Sequence, residues 1–168
     1  MRKLNTRTIS YMAILIALEI VLNRFLSINA WNIKIGFRFV PIVAAAIMFG
    51  PVNTGIVAAL SDIIGAILFP SGPFFPGFTL TAFITGAVFG LFLHKEQTWP
   101  RILLAVCINE LIFSLLLNSY WISVLYGSPY VPLLLTRIIQ CAIIIPVQII
   151  VIRLISRFMA AYGKRLLI

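Results

Sequence analysis

Six apolar runs, each close to the length that crosses a bilayer, constrain this chain more than any other feature. A spanning helix needs about 20 apolar residues, or about 17 when packed within protein. The runs are 8–28, 36–50, 53–69, 77–94, 101–124 and 129–158. Gly50-Pro51 parts the second from the third, and Gly127-Ser128-Pro129 parts the fifth from the sixth. Each run is expected to be helical, because hydrocarbon leaves an open strand edge unsatisfied. Of the 168 residues 62% are hydrophobic and 10% charged, more apolar surface than a soluble domain can hide. The expected fold is therefore an all-α integral membrane protein with six transmembrane helices, residues 1–168 forming a single domain.

The charges set the expected orientation. Net charge is +9, and nine of the thirteen Lys and Arg lie in MRKLNTR, HKEQTWPR and RLISRFMAAYGKRLLI. Basic segments are retained in the cytoplasm, so both termini and the turns near 50–53 and 94–101 are expected there. This topology accounts for the positive charge without a nucleic-acid partner. Loops 26–36, 69–78 and 124–130 then face outward. The run from Ile9 to Phe25 follows MRK as a signal peptide would. It is too long for one and carries Glu19 and Arg24, so it reads as the first helix.

Polar residues inside the runs show which helix faces look inward, since a charge in the bilayer costs about 2.5–3.5 kcal/mol unless it meets protein or a wet cavity. At roughly 100° per residue, Ala13 and Ala17 share one side of the first helix, with Glu19 and Asn23 nearly opposite. Small residues four apart let another helix approach closely. In the third helix Gly55, Ala59, Asp62 and Ala66 share a face. Cys107, Glu110, Ser114 and Trp121 form a stripe on the fifth, with Asn118 at its margin. On the sixth, Arg137, Cys141 and Gln148 align with Gln140 nearby, and Pro146 interrupts the backbone ladder. A polar interior follows, acids deep and arginines nearer the outer end. Structural ion pairing alone does not require so many polar groups in so small a bundle, so they point to a ligand site.

Several chemistries find no support. There is no GxxxxGK[ST] phosphate loop, so ATP hydrolysis by that route is not expected on this chain. His94 is the single histidine and falls in a loop, which leaves no Ser-His pair and no histidine-rich metal site. Cys107 and Cys141 sit in apolar runs without CxxC spacing and read as packing residues. Neither catalytic residues nor a cofactor are expected.

The stretches RFVPIVAAAIMFGPVNTGIVAALSDIIGAILFPSGPFFPGFTLTAFITG and LNSYWISVLYG, with AILIA at 13–17, occur in order along nearly the whole chain. They resemble the substrate-binding S-components of energy-coupling factor (ECF) vitamin transporters, and within these the folate branch. FPSGPFFPGFTLTA is the most specific block and AxxxA the least. The resemblance implies a high-affinity vitamin site near the external side, covered by the loops after the first and third helices. It further implies that Ala13 and Ala17 dock on a transmembrane coupling subunit joined to two ATPase subunits, whose ATP-driven work delivers folate or a related pterin inward. On that reading Phe74, Phe75, Phe78 and Trp121 contact the ligand's rings. Asp62, Glu110 or Asn118 accept from pterin N–H groups, and Arg24, Lys34, Arg38 or Arg137 meet its carboxylates. Prolines in FPSGPFFPGF limit the loop's freedom, so its closure costs little entropy, and its rings can stack on a flat heterocycle. Three alternatives stay open: an S-component for riboflavin or thiamine, an autonomous proton-coupled transporter using Glu19, Asp62 and Glu110, and a ligand-free membrane assembly subunit.

Overall fold

The computed structural model describes the backbone at 5–30, 33–70 and 72–166 and the side chains at 5–27, 36–70 and 72–159. Six helices run α1 Thr6–Arg24, α2 Phe39–Phe49, α3 Pro51–Leu68, α4 Pro76–Leu93, α5 Trp99–Tyr126 and α6 Tyr130–Leu166. Five of them are long and apolar enough to span a membrane; α2, with 11 residues, is shorter. Local chemistry marks the boundaries. Asn5 caps α1 by accepting from the Thr6 amide at 2.9 Å. Proline opens α3 and α4 where its missing N–H is harmless. Gly50 joins α2 to α3 with φ +79°. Pro146 lies inside α6 without ending it.

Segment 26–36, expected as a plain loop, contains an antiparallel hairpin. Strand β1 Ser27–Ala30 pairs with β2 Ile33–Gly36, Ser27 opposite Gly36. The isoleucines at 28, 33 and 35 favour strand geometry, and each strand supplies the other's hydrogen bonds. Among the described residues the sheet has only these two strands, so each leaves one edge without a strand partner, which suits a position beyond the hydrocarbon rather than within it. The hairpin starts from α1, leads into α2, and brings β2 against α6. It thus crosses one end of the bundle.

At the opposite end the helices pack dry. The largest core cluster joins Ile42, Val43 and Ala46 of α2, Ala58 of α3, Phe89 and Leu93 of α4, Ile102 and Val106 of α5, and Ile152 of α6. The α3–α4 contact is the most extensive between helices. It depends on bare backbone: a Cβ on Gly86 would stand 2.7 Å from the Thr54 carbonyl oxygen, and one on Gly90 2.4 Å from Pro51 Cα. The His94 ring closes this end, its Nδ1 3.1 Å from the Ile47 carbonyl oxygen.

The fifth helix departs from regular winding. Residues Ile108–Leu117 are π-helical, with α-helical Trp99–Cys107 before them and Asn118–Tyr126 after. Such i→i+5 stretches are uncommon and occur mostly at functional sites. This one carries Asn109, Glu110 and Ser114.

Candidate functional site

A cavity of about 750 Å³ opens among all six helices beneath the hairpin and the 69–75 loop. That is within the range of roughly 300–1,000 Å³ typical of small-molecule sites. Helix register gives its depth. Arg24 ends α1 and Arg38 precedes α2, so both stand at the mouth. Arg137 lies seven residues into α6, about 10 Å down at 1.5 Å per residue. Gln148 and Cys141 lie further in and meet Glu110 across the hollow. The neighbouring Asn109 donates to the Thr85 carbonyl oxygen nine residues into α4, which sets this floor about 14 Å down.

Nine of the sequence-predicted binding residues line this hollow: Arg24, Arg38, Asp62, Phe74, Phe75, Phe78, Glu110, Asn118 and Arg137. Asp62 accepts a hydrogen bond from Thr79 Oγ1 at 2.8 Å. Arg24 crosses α3 where Gly65 has no side chain; a Cβ there would meet Arg24 Nε at 3.3 Å. Arg38 Nε is 3.5 Å from Glu19 Oε1. Arg137 Nη1 donates to Ser119 Oγ at 3.3 Å. On the floor, Gln148 Nε2 donates to Glu110 Oε1 at 2.7 Å, with the Cys141 thiol 3.6 Å from the Glu110 carbonyl oxygen.

Two predicted residues fall elsewhere. The backbone of Lys34 stands on β2, and its side chain lies outside the described residues. Trp121 stands behind the cavity wall: its Nε1 donates to Thr81 Oγ1 at 3.1 Å, and its ring is 5.4 Å from that of Phe75. The π-helical stretch explains this placement. Under uniform α-helical winding Trp121 aligns with Glu110 and Asn118 drifts to the margin. With i→i+5 turns the chain rotates less per residue, and the inward stripe becomes Glu110, Ser114, Asn118, Ile122 and Tyr126, every fourth residue.

Side chains not assigned a role from sequence complete the lining, among them Thr81, Thr85, Asn109, Gln140 and Tyr126. Ser114 and Gln148 were legible as inward-facing, whereas Asn109 and Thr85 gave no periodic signal. Buried polar atoms nearly always find partners. Here Asn109 Oδ1, Asn118 Oδ1, Gln148 Oε1 and Arg137 Nε have no hydrogen bond among the described residues. Their residues line the hollow, which makes these atoms available partners for a bound ligand or water. The floor is thus rich in acceptors and the mouth in cations. No group of three or more His, Cys, Asp or Glu suited to a metal occurs among the described residues.

Rings hold the loop over the mouth. Phe25 meets Phe69 edge-on at 5.2 Å on one side, and Phe75 packs on Phe78 at 6.1 Å and on Trp121 on the other. Gly77 makes the second anchor possible, since a Cβ there would lie 2.5 Å from Phe75 Cε1 and 2.7 Å from Trp121 Cδ2. Phe74, which lines the hollow, is 53% exposed, so an aromatic face is already presented at the entrance. A second hollow, of about 350 Å³ between α5 and α6, is almost wholly apolar and lacks such groups. Ala13 and Ala17 are exposed on α1, on the side away from buried Glu19 and Asn23.

Comparison with known proteins agrees with this architecture. Residues 3–161 match the family model for the ECF-type riboflavin transporter, S component. The folate transporter FolT of Clostridium novyi (strain NT) is 44% identical over 153 residues, covering 90% of this chain and 88% of that protein. The folate transporter FolT of Leuconostoc mesenteroides is 34% identical over 154 residues, covering 88% and 83%. Among solved structures, the crystal structure of FolT bound with folic acid superposes with a TM-score of 0.87 at 35% identity, covering 91% of this chain and 94% of that one. The S component of a bacterial ECF transporter shares the fold, with a TM-score of 0.50 at 24% identity and coverage of 96% and 95%.

Proposed function

This chain belongs to the ECF-type transporter S-component family, a family of multi-pass membrane proteins rather than enzymes, and from that premise we propose that it captures folate. The observation that carries the proposal is the polarity of the hollow, with unpartnered acceptors at its floor and arginines at its mouth. Folate is polar in the complementary sense. Its pterin ring is flat and presents N–H donors, and its glutamate tail carries two carboxylates. The ring enters first, donating to Glu110 and to the free oxygens of Asn109, Asn118 and Gln148. The tail remains at the mouth, where the forked guanidinium groups of Arg24 and Arg38 match carboxylate geometry. Phe74, Phe75 and Phe78 cover the ring and linker, while Trp121 supports Phe75 from behind. Riboflavin, which the family model names, lacks carboxylates and makes poorer use of the two arginines. The folate relatives, at 44% and 34% identity, support the same choice.

Release and driving force belong to other chains on this reading. An S-component works with a transmembrane coupling subunit and two ATPases, and the exposed Ala13/Ala17 side of α1 is where a helix of the coupling subunit can approach closely. The basic termini then lie in the cytoplasm, and the hairpin end faces outward.

Mass spectrometry of the small molecule retained through detergent purification, followed by titration with folic acid, riboflavin and thiamine, tests the ligand. Folic acid should be retained and bind most tightly. Preferential retention of riboflavin would overturn the assignment. Docking is tested separately: Ala17→Trp should abolish uptake in cells that contain the partner subunits while leaving folate binding by the isolated protein within twofold. Survival of both activities would remove α1 as the docking face.

A further inference from the structure

Glu19 has no place in the binding site as described. It lies five residues before the end of α1, is 1% exposed and does not line the cavity, yet it is one of only four acids in the chain. Its Oε1 sits 3.5 Å from Arg38 Nε and accepts from Asn23 Nδ2 at 3.3 Å. Arg38 occupies the N-cap of α2 and makes no side-chain capping bond. A cation there faces the positive end of the helix dipole, which disfavours it. Something must hold that guanidinium at the mouth rather than let it swing outward, and its side chain is already 35% exposed.

We infer that Glu19 is a positioning residue for ligand selectivity: it grips Arg38 at Nε and aims the guanidinium's two terminal nitrogens into the hollow as a fork for a carboxylate. Contact at Nε fixes the side chain near its base and leaves the end-on edge, the one suited to bidentate pairing. Burial of Glu19 strengthens its hold, because an ion pair with one member away from water is weakly screened. Asn23 fixes the carboxylate in turn. Glu19 therefore acts on an anionic ligand through Arg38 without touching it. The inference rests on the proposed placement of the folate tail at the mouth.

The test compares folic acid with its bis-amide, in which both glutamate carboxylates are carboxamides. The wild-type protein should prefer folic acid at least tenfold. Equal affinity would overturn the tail assignment, and this inference with it, on wild-type data alone. Given the wild-type preference, Glu19→Gln should weaken folic acid about tenfold and the bis-amide by less than twofold. In an Arg38→Met background the same change should alter folic acid affinity by less than twofold. Equal losses for both ligands, or an undiminished loss without Arg38, would show that Glu19 only joins α1 to α2. Should Glu19→Gln fail to fold, Glu19→Asp keeps the charge but draws the guanidinium back; it should reduce the preference in the same direction, by about threefold. An unchanged preference in that variant also overturns the inference.

Discussion

At the Gly50–Pro51 end the helices touch through bare backbone, and at the hairpin end they stand apart around a polar hollow. Both ends draw on the same helices, α2 to α6. Closeness at the first comes from what the side chains lack, at Gly86, Gly90 and Ala58. Separation at the second comes from what they carry: three arginines, two acids and several amides. The difference teaches that small residues and buried charges divide the work within one helix. On α4, Gly86 and Gly90 pack against α3, while Phe78, Thr81 and Thr85 line the site. The dry end supplies stability, so that the wet end can keep polar atoms without partners.

Four substitutions can break or sharpen that contrast. The largest effect is expected for Gly90→Val, whose Cβ would stand 2.4 Å from Pro51 backbone. It should cost about 3 kcal/mol or more of stability, seen as a lower melting temperature in detergent, while the molecules that still fold bind folate normally. Lost affinity at an unchanged melting temperature would refute the division. Next, Glu110→Ala removes a charged acceptor from the floor. Folate affinity should fall by about 2–3 kcal/mol, measured by calorimetric titration, with a smaller loss of ligand-free stability of about 1 kcal/mol because the buried Gln148 amide loses its acceptor.

Gly77→Ala belongs to the wet end but acts on its cover. The added methyl must displace Phe75 or Trp121, and ligand release in stopped-flow measurements should quicken about fivefold, equivalent to roughly 1 kcal/mol. A release rate identical to wild type would mean that the Phe75–Trp121 contact does not hold the loop. The smallest effect is expected for His94→Ala. It removes an exposed ring contact at the dry end, and both melting temperature and affinity should stay within about 0.5 kcal/mol of wild type.

Much of this arrangement was legible in the sequence because lipid admits few solutions. Helix number and the inward faces of α1, α3 and α6 followed from apolar runs and the angular positions of Glu19, Asp62, Arg137 and Gln148. Gly50-Pro51 marked its turn because glycine and proline act locally. The hairpin was not legible, since SINA and IKIG are too short for periodicity to outweigh their place in a connection. Asn118 was expected at the site and lines it, but the withdrawal of Trp121 behind the cavity wall was not legible. Angular reading assumes uniform winding, and the π-helical stretch is upheld by tertiary contacts. The Tyr130 hydroxyl donates to the Leu116 carbonyl and the Cys141 thiol to that of Glu110, both from α6. Such contacts have no signature within residues 108–117 themselves.

The wide winding of α5 gives this fold a second route to new ligands. Adding or deleting one residue within 108–117 would turn the following segment by one residue's rotation, somewhat less than the roughly 100° of a regular α-helix, and exchange the side chains it offers inward. Recognition can then drift by phase as well as by substitution, so transporters that differ by a single codon there need not share a cargo.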